Sequence, residues 1–260
     1  GNGIARNIDQ TGNATFQPDF VWLKNVTDAG SNNMLFDAPR GVTNVLATQL
    51  TAVEATDANS LTSFDSDGFG LGTGAAGIAG GYNINTKSYF AYQWLAGGGA
   101  GSSNEDGSIN TTTTTVNTAA GISIGTYTGT GSAATIGHGL GVVPKMIIVK
   151  ERANDVGSWF MYHAEMSDDP ETDYMLLDSF SAIVDDATVW NDTAPTSTVF
   201  SIGTHDDVNG STDTYVYYAF AEIEGFSKFG SYTGNGVTDG PVIYTGFKPA
   251  WVMIRKTSGT

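Results

Sequence analysis

One short pattern is written three times along the chain, and it restricts the possible folds more than any other feature. A Gly-rich turn, Gly1-Asn2-Gly3, Gly129-Thr130-Gly131 or Gly234-Asn235-Gly236, is followed each time by a proline, an apolar run and a base. The runs are Pro18 to Lys24, Pro144 to Lys150 and Pro249 to Arg255, with the base six positions after the proline in every copy. The second and third copies of both turn and proline lie 105 residues apart. Recurrence at that spacing predicts a protein of domain-sized repeats.

Further anchors fit the same frame. Tyr89 to Trp94 precedes Tyr215 to Phe220 by 126 residues, the offset that also separates Pro18 from Pro144. Met34 to Asp37 echoes Met175 to Asp178, and Phe69 to Gly72 echoes Phe200 to Gly203. The expected organisation is a first repeat at 1–125, a second at 126–230 and the start of a third at 231–260. Repeat 1 carries an extra stretch near 95–120, with the glycines of Gly97 to Gly101 and the threonines Thr111 to Thr115. That composition suits a linker or an extended hairpin.

A length of 260 residues accommodates about two domains, in agreement with the repeat. Hydrophobic residues at 40% suffice for packed cores, while 34 glycines and many Thr, Ser and Asn predict a turn-rich β protein almost without helix. The three runs are apolar at consecutive positions, so a strand there needs cover on both faces, and proline is tolerated where such a strand begins. Trp22 and Ile148, equally spaced from their prolines, are expected to be buried. The fold class expected is all-β, as tandem β-sandwich units of jelly-roll or lectin-like type. Strands with bulk on both faces also predict self-association.

Eleven basic against 27 acidic residues give a net charge of −16. Such a surface repels phosphate backbones and anionic lipid, which argues against nucleic acid and membrane as partners. It suits solubility in a salty medium, the alternative being cation binding by some carboxylates. Without cysteine there are no disulfides or thiolate metal sites. No apolar run approaches the roughly 18 residues of a membrane-spanning helix. The chain lacks an initiator Met and reaches only the opening of its third copy, so a piece of a longer protein is expected. The run Phe247 to Lys256 is then either the first strand of a third domain or, in a shifted frame, a strand packed on the preceding unit; it is extended in both cases.

Candidate chemistry is sparse, and no cofactor is required. His138, His163 and His205 have no second His at ligand spacing, and His138 reads as a loop residue bonded to backbone. No nucleophile elbow, zinc-protease helix or phosphate loop is present, and no enzyme is expected. Asp65 and Asp67, in Asp65-Ser66-Asp67-Gly68, have the alternating carboxylates that begin many calcium loops, although a plain hairpin reads the same residues. The cluster Asp168, Asp169, Glu171 and Asp173 offers paired carboxylates for glycoside hydrolysis, or simply a solvated loop. Trp190, Asn191 and Asp192 form the best candidate for a sugar, an aromatic face beside amide and carboxylate groups, or else a core tryptophan with its flanking turn.

Several strings resemble repeats in tail-fibre and other virion structural proteins of tailed phages, particularly phages of marine bacteria. They are Thr126 to Gly131, Gly137 to Lys150, Trp190 to Phe200 and Phe220 to Gly236, with Phe16 to Asn25 and Ser63 to Phe69 in the first repeat. The resemblance implies an extracellular virion segment in a tail or fibre, lectin-like β domains, homotrimers, contacts with other virion proteins and binding to host-surface polysaccharide. It supplies no catalytic residues. A glycan-degrading fibre and a bacterial surface adhesin of similar repeats are the alternatives.

Overall fold

The structure, a computed structural model, describes residues 1–12, 14–74, 81–154 and 156–258. The first half contains β1 (Arg6–Asp9), β2 (Phe20–Asn25), β3 (Asn33–Asp37), β4 (Asn44–Ala47), β5 (Ala55–Thr56), β6 (Leu61–Asp65), β7 (Gly68–Leu71) and β8 (Tyr89–Trp94). In the second half β9 (Thr113–Asn117), β10 (Ile122–Thr128), β11 (Ala134–Gly137), β12 (Met146–Glu151) and β13 (Trp159–His163) come first. They are followed by β14 (Asp173–Leu176), β15 (Val184–Asp185), α1 (Ala187–Trp190), β16 (Val199–Ile202), α2 (Asp206–Asn209) and β17 (Thr214–Phe220). The protein is thus an all-β sandwich, and among the described residues its two helices are of four residues each.

Each half pairs a large sheet with a small one. In the first, β5-β4-β3-β2-β8 faces β1-β7-β6; in the second, β15-β14-β13-β12-β17-β10-β9 faces β11-β16. The orders β5-β4-β3-β2-β8 and β15-β14-β13-β12-β17 correspond strand for strand. So do registers: Phe20 opposes Trp94 where Met146 opposes Phe220, and Ile8 opposes Phe69 where Ile136 opposes Phe200.

Hydrogen bonds outside the sheets correspond as well. Asn83 and Asn209, both buried, each stitch a Gly-rich turn to the strand region behind it. The Asn83 amide donates to the carbonyls of Ile4 and Gly72, and Gly3 N–H donates to the Asn83 carbonyl at 2.7 Å. The Asn209 amide donates to Ser132 and Gly203, and Gly131 N–H donates to the Asn209 carbonyl at 2.8 Å. Nearby, the hydroxyl of Tyr89 accepts from Ile84 N–H and that of Tyr215 from Gly210 N–H.

One sequence echo comes out differently. Met34 to Asp37 lies in β3, adjacent to β2, whereas Met175 lies in β14, one strand farther from β12; the strand in the place of β3 is β13. Their similarity is that of any short apolar strand ending in Asp. Of the two readings of the Gly/Thr-rich stretch, a linker or an extended hairpin, the structure has the hairpin: its β-branched threonines form β9, which pairs antiparallel with β10 and widens the second sheet. A boundary at residue 125 would therefore cut β10, which pairs with β17 along its whole length.

Side-chain alternation explains how consecutive apolar residues are all covered. In β2, Val21 and Leu23 enter a core with Met34, Phe36, Leu61, Phe69 and Tyr82 between the two sheets of the first half. Phe20 and Trp22 point the other way, with Leu35 and Leu46, into a cluster shared with the second half. The large sheet of the first half is therefore buried on both faces. Ile148 is buried, at 8% exposure, but Trp22 is only half-buried. It sits at the margin of the shared cluster, against Tyr92 and Trp251.

Candidate interaction site

The most elaborate chemistry lies in the junction between the halves. At its centre is aromatic packing. Phe20 meets Trp94 and Tyr218 edge-on at centroid distances of 5.1 and 5.4 Å, and Trp159 stacks on Tyr218 at 6.3 Å. Trp159 crosses the junction to donate its indole N–H to the carbonyls of Ala47 and Leu50 at 3.2 Å. A third segment reaches the same place: Trp251 contacts Trp22, Tyr92 and Trp94 at 6.5, 6.2 and 5.7 Å. A small cavity of about 40 Å³ remains there, lined almost entirely by apolar side chains.

A buried ionic network flanks the aromatics. Arg40, with no exposed side-chain surface, bonds through Nε to Asp37 Oδ2 at 2.5 Å and through a terminal nitrogen to Glu54 at 2.9 Å. Its other terminal nitrogen donates to the Leu35 carbonyl. Glu54 is also gripped by Arg152 of the second half, at 2.7 and 3.1 Å. Tyr218, also of the second half, donates its hydroxyl to Asp37 at 2.6 Å. Burial disfavours the Glu54 carboxylate, but the Arg152 hydrogen bond and the two guanidinium charges together hold its pKa below the usual value. Burial pushes the Tyr218 hydroxyl well up, so it stays a proton donor. Paired, multiply hydrogen-bonded charges of this kind fix a single geometry and are costly to break. Lys150, fully buried, donates to the carbonyls of Glu151 and Thr51, and so also bridges the halves.

A second tight site surrounds Asp19, the residue after Pro18. Its buried carboxylate accepts backbone N–H groups from Ala96, Gly98 and Gly99 at 2.7 to 2.8 Å. Gly97, Gly98 and Gly99 have φ of 118°, 85° and 145°, which lets the backbone curl its N–H groups round the anion. The Gly-rich stretch thus has an internal ligand.

The residues singled out for a sugar do not present one surface. Trp190 ends α1 at 2% exposure, its ring edge-on to Tyr162, so the face that would stack on a pyranose is inside the core. Asn191 and Asp192, both exposed, take left-handed φ values of 55° and 43° as the chain leaves α1. Asp65 ends β6 and opposes Gly68 of β7 across a two-residue turn that holds Asp67; Asp65 accepts from the Ser63 hydroxyl at 3.2 Å. Among the described residues no group of three or more His, Asp or Glu side chains converges as a metal site. Asp168 and Asp169 are exposed in a turn where Asp169 accepts from Thr172, while Asp173 lies in β14.

His138 is fully buried and bonded as its sequence context suggests. Nδ1 accepts from Leu140 N–H at 3.2 Å, so Nε2 carries the proton toward the Thr196 carbonyl at 3.1 Å. Burial lowers its pKa, opposed by the Thr196 bond and Asp106. His163, on β13, is likewise lowered by burial, and His205 caps α2 through Nδ1.

Asp37, Arg40, Glu54 and Arg152 were not indicated by any motif, since their partners are far apart in sequence and obey no period. Asn83 and Asn209 carried a readable signal, the same 126-residue offset as the prolines. Among the described residues no helix is long and apolar enough to cross a membrane. Neither the curated proteins nor the solved structures contain a match to the chain. One family does match, over residues 1–260, and the chain belongs to it: DUF7483, a domain of unknown function.

Proposed function

We propose that the protein is a non-enzymatic structural segment of a tailed-phage virion, a fibre-like array of β units that lengthens the particle and carries a host-binding surface. The observation that supports this reading is the junction. Corresponding faces of two similarly ordered sheets are joined by aromatic packing and a buried ionic network. Buried polar groups spent on fixing one orientation suit a load-bearing rod better than a hinged enzyme. The phage assignment rests on the resemblance of the strings above, as do homotrimeric assembly and contact with host polysaccharide. An antibody raised against the chain and imaged on intact virions tests it. Decoration of the tail or its fibres is the expected result, and particles that remain unlabelled although the antibody binds the denatured particle proteins would refute it.

A further inference from the structure

We propose that residues 231–256 are the opening turn and strand of a third β unit, already seated on the junction, and that their open face receives the remainder of a unit of this same fold. The phase of the three apolar runs carries the argument. Two positions after each proline stand Phe20, Met146 and Trp251; four positions after stand Trp22, Ile148 and Met253. All six line one small cavity at the junction. The third run thus places there the residues that correspond to those placed by the first two.

The intervening positions differ in one respect. Val21 and Leu23, packed within the first half, are 0% and 2% exposed, and Ile147 and Val149 are 1% and 0%. Val252 and Ile254, their counterparts, are 64% and 68% exposed. Exposure alternates from Trp251 to Lys256, as in an extended strand, yet among the described residues the segment pairs with no strand. It is held in place by Trp251, by Arg255 donating to the Ser181 carbonyl at 2.7 Å and by Ile183 N–H donating to Thr257 at 3.0 Å.

The turn ahead of the strand repeats the pattern. Gly3, Gly131 and Gly236 have φ of 70°, 72° and 69°. Backbone of residues 83–84 lies against Gly1, and that of 209–210 against Gly129, whereas no atom approaches the corresponding face of Gly234. The third turn thus shares this glycine φ with the other two, without the asparagine segment that secures them. Val242 and Tyr244, between that turn and the strand, are also open, at 95% and 87% exposure.

The occupant is therefore specified by the two filled examples. It supplies an antiparallel strand on each side of 250–255, as β3 and β8 flank β2, a small sheet over Val252 and Ile254, and an asparagine in the place of Asn83 and Asn209. A β unit lacking its own opening strand has these parts. The inference stands on the geometry of the junction and is independent of the virion reading.

The test extends the full chain behind Thr260 with a second copy of its own residues 157–230, which begin just before β13 and end after β17. Hydrogen exchange is then followed at 250–256 and 234–244. Exchange slower by about tenfold or more than in the parent chain is expected. Val252→Asp with Ile254→Asp should leave the parent's melting temperature unchanged but abolish the added protection. Unchanged exchange at 250–256, or protection that survives the double substitution, overturns the proposal. So does a parent chain that is already a dimer protected at 250–256 and dissociated by that substitution, which would assign the face to a second copy.

Discussion

Tyr218→Phe isolates the coupling between the halves, because it removes one hydroxyl and leaves the ring stacked on Trp159 and edge-on to Phe20. The hydroxyl donates to Asp37 at 2.6 Å in a fully buried site. A hydrogen bond to a charged acceptor contributes about 1.5–3 kcal/mol. Asp37 keeps its bonds from the side chain and backbone N–H of Arg40, so the lower part of that range applies, about 2 kcal/mol. For a chain of this size the melting temperature should fall by roughly 4–8 °C. Asp37→Asn should cost more, about 3–5 kcal/mol, since it leaves the Arg40 guanidinium buried beside a neutral partner. Urea unfolding of both single variants and the double variant closes the cycle, with a coupling of about 1 kcal/mol or more expected between β3 and β17. A Tyr218→Phe loss below about 0.5 kcal/mol, or strict additivity with Asp37→Asn, would refute the idea that this bond helps to weld the halves.

Acidification should destabilise the protein through His138. Its folded pKa is lowered while its unfolded value is near 6.5, so the unfolded chain binds more protons between the two; stability is full above about pH 6.5 and declines as pH falls below it. Melting temperatures at pH 5 and pH 7.5 should differ less in His138→Gln than in the parent, and an unaltered difference would remove His138 from the account. Asn83→Ala and Asn209→Ala should each cost about 1–3 kcal/mol, because each strands buried backbone groups in the same way; widely different costs by urea unfolding would contradict their correspondence. Trp190→Ala should cost about 3–5 kcal/mol as a core cavity, whereas a purely sugar-facing indole would leave the melting temperature almost unchanged. Chelator should leave the melting temperature unaltered if Asp65 and Asp67 merely close a hairpin; a drop that Asp65→Asn abolishes would establish calcium there.

What could be read from the sequence was whatever recurs at a fixed distance. The prolines and the tyrosine-rich strands β8 and β17 share one spacing, 126 residues, and they take corresponding places in the two halves; Phe69 and Phe200, 131 residues apart, do so as well. Met34 and Met175 do not, because a short apolar run ending in Asp is common to any strand and carries no address. The Gly/Thr-rich stretch was legible only as far as a linker or a hairpin: glycine and threonine frequencies describe flexibility and β-propensity, but they cannot say that Asp19 will order Gly98 and Gly99 or that β10 will recruit Thr113 to Asn117. Trp190 shows the limit for sites, since an indole beside Asn and Asp has the same sequence whether its ring faces water or Tyr162.

The junction was legible only through a requirement it satisfies. Runs such as Phe20 to Leu23 and Met146 to Val149 have no polar face, so each demanded a second covering layer without naming it. The layer turned out to be the other half of the same chain, and that explains why a strongly acidic protein keeps Arg40, Arg152 and Lys150 at this one place. Apolar packing alone fixes neither register nor orientation between two sheets, because similar strands slide past one another at little cost. Point-to-point bonds from Arg152 to Glu54, from Tyr218 to Asp37 and from Trp159 to Ala47 remove that freedom, each joining a residue of one half to a residue of the other. Such pairs obey the geometry of contact rather than any period along the chain. A motif search cannot find them, whereas the unrelieved hydrophobicity of the strands between them already marks where they must lie.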